Sequence, residues 1–180
     1  MEQRIMIAGF GGQGVLLMGQ LIAQGAMDEG KFVSWLPSYG PEMRGGTANC
    51  SVVVADEPVG SPVVTEPDVA IIMNKPSLIS FEKAVKPGGV LLYNTSLIDQ
   101  APTRTDIKVI GVACNDIAAE LGNARVANMV MLGAYCQAAE LIALESIEEA
   151  MRHKLGAKKE KMIPVNRLAI EKGMAAASGN

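Results

Sequence analysis

Gly9-Phe10-Gly11-Gly12-Gln13-Gly14 has the spacing G-x-G-x-x-G. Glycines at these steps permit a tight turn and let backbone N–H groups come close to a ligand. Where such a turn opens a helix, those groups and the helix dipole favour a phosphate or carboxylate. The same glycines also serve when a strand and a helix merely pack closely, with no ligand present. Both readings stand for Gly9, Gly11, Gly12, Gln13 and Gly14. A dinucleotide would further require an acid at the end of the next strand, to hold the ribose hydroxyls. That strand closes Val33-Ser34-Trp35-Leu36-Pro37, and Asp28 and Glu29 come before it, so an NAD or FAD site is disfavoured.

Ser38–Gly46 is the second segment of interest, with Tyr39, Glu42 and Arg44 set among Gly40, Pro41, Gly45 and Gly46. Arg44 has the planar fork that grips a carboxylate or phosphate through two parallel hydrogen bonds. Alternatively Glu42 pairs with Arg44 and only holds the loop, or Arg44 is an incidental surface charge. In a doubly wound sheet this loop would stand beside the glycine loop, in the crevice at the strands' carboxyl ends.

Other chemistries find little support. Cys50, Cys114 and Cys136 are odd in number and far apart, which gives neither a disulfide framework nor a Cys-x-x-Cys pair. A cluster needs about four thiolates. Cys114, at a strand end, reads as a small buried hydrophobe. The single His153 lacks a second histidine at helical spacing, which argues against zinc. The 11 methionines read as core filler.

The net charge of −3 leaves no footprint for nucleic acid. It is unevenly spread: Arg152–Lys172 holds seven Lys/Arg against two Glu, a local +5 that leaves −8 elsewhere. The plain reading of that basic end is a solvated helix face. Residues 5–27 carry no charge, but six glycines and three glutamines break the run, so neither a membrane span nor a signal peptide is expected. With 49% hydrophobic and 19% charged residues the chain should fold around a full core, with apolar surface to spare for a partner. A reducing cytoplasm fits.

The elements that must position these residues alternate between strand and helix, the mark of an α/β fold. Strands are expected at Arg4–Ala8, Phe32–Leu36 (closed by Pro37), Ala48–Ala55, Val69–Met73, Val90–Tyr93 and Lys108–Ala113. Helices are expected at Gln13–Met27, Ser77–Val85, a short one capped by Asn115 or Asp116, Arg125–Ala143, Ser146–Leu155 and one opened by Pro164. Ser146 and Glu149 match a capping box. Asn128, if it faces inward, needs partners, in a capping or interface role. The expected architecture is a single Rossmann-like, doubly wound, mostly parallel sheet with helices on both faces, one domain over residues 1–180.

Taken together, Gly9–Val15, Ser38–Gly46, the strand Ala48–Ala55, Asp56-Glu57-Pro58, Pro67-Asp68-Val69 and Arg125-Val126-Ala127-Asn128-Met129 resemble the gamma subunit, or gamma domain, of 2-oxoacid:ferredoxin oxidoreductases. The resemblance spans most of the chain. It implies a subunit of a complex that oxidatively decarboxylates a 2-oxoacid, forms an acyl-CoA and reduces ferredoxin. Thiamine diphosphate, CoA and iron–sulfur clusters are then expected in the assembled complex, with none held by this chain alone. Expected partners are the alpha and beta subunits, a delta subunit where one is present, and ferredoxin indirectly, with no nucleic acid or membrane.

No catalytic or metal residue is assigned. Gly9, Gly11, Gly12, Gln13, Gly14, Tyr39, Glu42, Arg44 and Gly45 would line the face towards the thiamine and CoA site. The Ser-Tyr-Gly-Pro-Glu wording leans towards the 2-oxoglutarate and branched-chain types rather than the pyruvate type. Competing readings are a freestanding dinucleotide-binding reductase and a non-enzymatic scaffold.

Overall fold

Alternating side chains decide the sheet. In a strand, successive residues point to opposite faces, so a strand buried on both sides is apolar throughout. β4 (Val69–Ile72) shows it most plainly, with all of its residues buried. The computed structural model describes residues 1–39 and 47–179, and of Tyr39 the backbone only. In chain order its elements are β1 (Glu2–Phe10), α1 (Val15–Asp28), β2 (Phe32–Tyr39), β3 (Thr47–Ala55), β4, α2 (Lys75–Phe81), β5 (Val90–Asn94), β6 (Lys108–Val112), α3 (Cys114–Glu120), α4 (Ala127–Ala139), α5 (Leu144–Leu155) and α6 (Ile163–Ser178).

The six strands form one sheet in the order β2-β3-β1-β4-β5-β6. β1, β4, β5 and β6 run parallel, with β5 and β6 each reached from the strand before by a crossover that reverses the chain twice. β3 is antiparallel to both neighbours and stands between β1 and β2. The expected mostly parallel α/β sheet is therefore present, with one strand reversed. The cause is length: only residues 40–46 join β2 to β3, and a parallel pair would need a crossover of about a dozen or more.

Ile5, Ile7, Cys50, Val52, Val54, Val69, Ile71, Leu92 and Ile110 face one side, where α1, α4, α5 and α6 cover them. Ala8, Ala70, Ile72 and Leu91 face the other, under Leu78 of α2, Val85 and Ile98. Each fully buried Ile or Leu contributes about 1.5–3 kcal/mol over an exposed one. α4 has no polar face, since every residue from Ala127 to Cys136 is buried. It crosses α6 so closely that a Cβ on Gly133 would lie 1.9 Å from the carbonyl oxygen of Ile170, and one on Gly173 1.8 Å from that of Val130.

Local structure departs from the expected pattern at four places. β2 continues through Pro37 to Tyr39; it is an edge strand, where the N–H that proline lacks can be spared on the open side. The helix expected over Arg125–Ala143 ends at Glu140, which adopts a left-handed φ of 49°. Ser146 caps nothing: it lies inside the first turn of α5, whose N-cap is Ala143. The Ala143 N–H instead donates to Glu29 Oε1 at 2.8 Å, an acceptor from the end of α1. Likewise Asn115 and Asp116 lie within α3, whose N-cap is Ala113.

Candidate functional site

β1 delivers the glycine loop to the carboxyl edge of the sheet, and α1 carries the chain back from it. The structure divides the motif by job. A Cβ on Gly9 would sit 2.6 Å from Gln13 Oε1 and 2.8 Å from Met73 Cβ, so Gly9 is glycine because the loop and β4 close over it. Gly14 is the N-cap of α1 at φ 73°, and a Cβ there would lie 2.2 Å from Asn128 Nδ2. Gly12, at φ 90°, has nothing within 4 Å of its Cβ position and turns its backbone to open space. Thus Gly9 and Gly14 answer to packing, and Gly12 leaves the loop approachable.

Gln13 ties the turn. Its Oε1 accepts from the Phe10 N–H at 2.6 Å, and its Nε2 donates to the Met73 carbonyl at 3.3 Å. The side chain is thereby committed at both ends, to the loop's own start and to the end of the neighbouring strand. Asn94, at the end of β5, repeats the device: its Oδ1 accepts from the N–H groups of Ser96 and Cys114, and its Nδ2 donates to Asn115 Oδ1.

A cleft of about 130 Å³ opens beside the loop, bounded by Gly12, Gln13, Met73, Asn115, Arg125 and Asn128. Clefts that take a whole cofactor run to roughly 300–1,000 Å³, so this one fits a phosphate, a carboxylate or a few atoms of a longer molecule. Asn128 and Arg125, which sequence reasoning did not place at the site, form its far wall from the start of α4. Their signal lay in Arg125-Val126-Ala127-Asn128-Met129, where Asn128 is an amide at the head of a largely apolar helix. It is 6% exposed, donates to the Gly14 carbonyl at 3.5 Å and accepts from the Met129 N–H at 3.0 Å.

Tyr39 ends β2 opposite Ala48, and Ala48 in turn pairs with Gly9. The start of the second loop thus stands at the same edge as the glycine loop, with one strand between them. Glu42, Arg44 and Gly45 lie outside the described residues. Asp28 and Glu29 are at the far end of α1, about 20 Å of helix away from the loop.

Burial pushes the thiols of Cys50 and Cys136 up to about 12, and that of Cys114 higher still, so none is a nucleophile near neutrality. Among the described residues no group of three or more His, Cys, Asp or Glu is placed to hold a metal ion. No described helix is long and apolar enough to cross a membrane.

The family model described as pyruvate ferredoxin/flavodoxin oxidoreductase matches residues 4–176. The chain is 45% identical over 174 residues to ketoisovalerate oxidoreductase subunit VorA of Methanothermobacter marburgensis, a match covering 96% of this chain and 36% of that protein. The chain thus spans about a third of that relative's length. It superposes on the gamma subunit of a keto/oxoacid ferredoxin oxidoreductase from Geobacter sulfurreducens with a TM-score of 0.84 at 27% identity, over 99% of both chains. A 2-oxoglutarate:ferredoxin oxidoreductase from Magnetococcus marinus, solved with 2-oxoglutarate, coenzyme A and succinyl-CoA bound, gives a TM-score of 0.90 at 26% identity. That match covers 99% of this chain and 31% of the other.

Proposed function

The chain belongs to the pyruvate ferredoxin/flavodoxin oxidoreductase family, and on that premise we propose that it is the gamma subunit, or gamma domain, of a 2-oxoacid:ferredoxin oxidoreductase. In the overall reaction the substrate's carboxylate leaves as carbon dioxide, its acyl group replaces the proton on the CoA thiol, that proton is released, and the two electrons go to ferredoxin. Thiamine diphosphate, when bound in the complex, supplies the electron sink for the decarboxylation. The observation that carries this reading is the overlay with a gamma subunit along 99% of both chains.

The chain's own part is to shape a surface. The open backbone at Gly12, backed by Gln13, would receive an anionic or amide portion of CoA or thiamine diphosphate, and the 130 Å³ cleft has room for that portion only. The remaining walls would come from alpha and beta subunits. Gly11, Tyr39, Glu42, Arg44 and Gly45 would extend the same rim, with Arg44 gripping a phosphate or carboxylate.

Co-expression with the neighbouring alpha and beta chains, followed by native mass spectrometry and a ferredoxin-reduction assay, tests this. A hetero-oligomer that reduces ferredoxin with a 2-oxoacid and CoA is expected, while the isolated chain stays inactive. Ferredoxin reduction by the isolated chain would overturn it.

A further inference from the structure

A groove of about 360 Å³ lies on the other side of Arg125 and Asn128 from the glycine-loop cleft, between α1, α4, the end of α5 and α6. Its size is within the range of small-molecule sites. Leu17, Met129, Leu155 and Met162 give it apolar walls. Two cations stand on its rim, Arg125 and Lys159, and neither has an ion-pair partner among the described residues. Nearby basic residues are engaged: Arg152 and Arg167 both reach Glu148, at 2.8 and 2.6 Å. Of the basic end Arg152–Lys172, Lys159 is the cation that lines this opening, and Arg125 joins it from the segment before α4.

Asn166 supplies the second observation. It lines the groove from the first turns of α6, is 7% exposed, and its carboxamide has no hydrogen-bonding partner among the described residues. Its carboxamide atoms are not sealed in the interior, so a ligand's polar atom in the groove can take the place of water on them.

We propose that this groove is a second binding site, for a small organic anion with an apolar body. The apolar body lies along Met129, Leu155 and Met162, the carboxylate or phosphate meets Arg125 and Lys159, and Asn166 hydrogen-bonds the polar atom between them. The inference does not depend on the function proposed above; Arg125 also borders the glycine-loop cleft, but Lys159, Leu155, Met162 and Asn166 belong to this groove alone.

Methionine methyl NMR of the full chain tests it, since Met129 and Met162 line the groove while Met18 and Met131 are fully buried elsewhere. Octanoate and octyl phosphate serve as probes and octanol as the neutral control. The Met129 and Met162 methyls should shift with both anions, the tighter one identifying the head group. Met18 and Met131 should stay still. Octanol should bind at least tenfold more weakly, and Arg125→Ala with Lys159→Ala should weaken the anions at least tenfold. Asn166→Leu, which keeps the wall apolar, should weaken them severalfold. Unmoved methyls at millimolar probe, octanol binding as tightly as octanoate, or an unchanged affinity in the double variant would each overturn the proposal.

Discussion

Asn128 and Gly14, separated by 114 residues, meet where α4 touches the start of α1, with the Asn128 carboxamide in the space a Gly14 side chain would need. Two requirements therefore converge on Gly14, a left-handed backbone and a missing Cβ. Gly14→Ala should cost about 1–2 kcal/mol for the left-handed conformation alone, and more for displacing Asn128. In an Asn128→Ala background the second part should vanish. Urea denaturation of the four proteins measures the coupling, expected at 0.5 kcal/mol or more, roughly the least seen for residues in contact. Strict additivity would disprove the contact's importance.

The α4–α6 crossing gives a harsher outcome. Gly133→Ala and Gly173→Ala each drive a methyl into a backbone carbonyl, which cannot rotate away. Each should destabilise the chain by at least ~3 kcal/mol, the upper part of the overpacking range. A melting temperature close to the parent's for either variant would mean the helices stand further apart than described.

Acid should weaken a small exposed cluster of two ion pairs around Asp56. Lys31 Nζ donates to Asp56 Oδ1 at 2.5 Å and the Met1 ammonium to Oδ2 at 2.8 Å, and together they hold the carboxyl down to about 2 from an ordinary 3.8. A depressed carboxylate stabilises the fold fully above about pH 4, and the contribution is lost as the pH falls towards 2. Asp56→Asn should thus be less stable than the parent at neutral pH, with the gap closing by pH 2. Because the cluster is exposed, added salt should also shrink the gap.

Arg44→Ala addresses the proposed role of the second loop. Turnover of the assembled oxidoreductase should fall severalfold, while the isolated chain's stability changes by less than about 0.5 kcal/mol, as for an ordinary surface substitution. A large loss of thermal stability would move Arg44 from ligand contact to loop support.

The sequence carried the parts of the structure that depend on near neighbours. The alternation of strand and helix, the turn at Gly12 and the opening of α6 near Pro164 are all local matters of backbone freedom and apolar spacing. The short link after β2 requires β3 to run back against it, but nothing in Thr47–Ala55 reveals that β3 inserts between β2 and β1. Nor do Ser146 and Glu149 reveal that the start of α5 is capped from Glu29, because that acceptor arrives only once α1 and α5 are packed. Asn128 was visible as a polar oddity, but its position against Gly14 exists only in the folded chain. The glycine motif itself left ligand and packing readings open; the fold shows which glycines packing already explains and which one faces outward.

The reversal of β3 has a bearing on how this scaffold can diversify. Tyr39 and Thr47 are both pinned by the ladder, so residues joining them can be substituted at constant length without renegotiating the register of any strand. The sequence of that segment can then be re-tailored piecemeal over generations, while the framework beneath it is inherited intact.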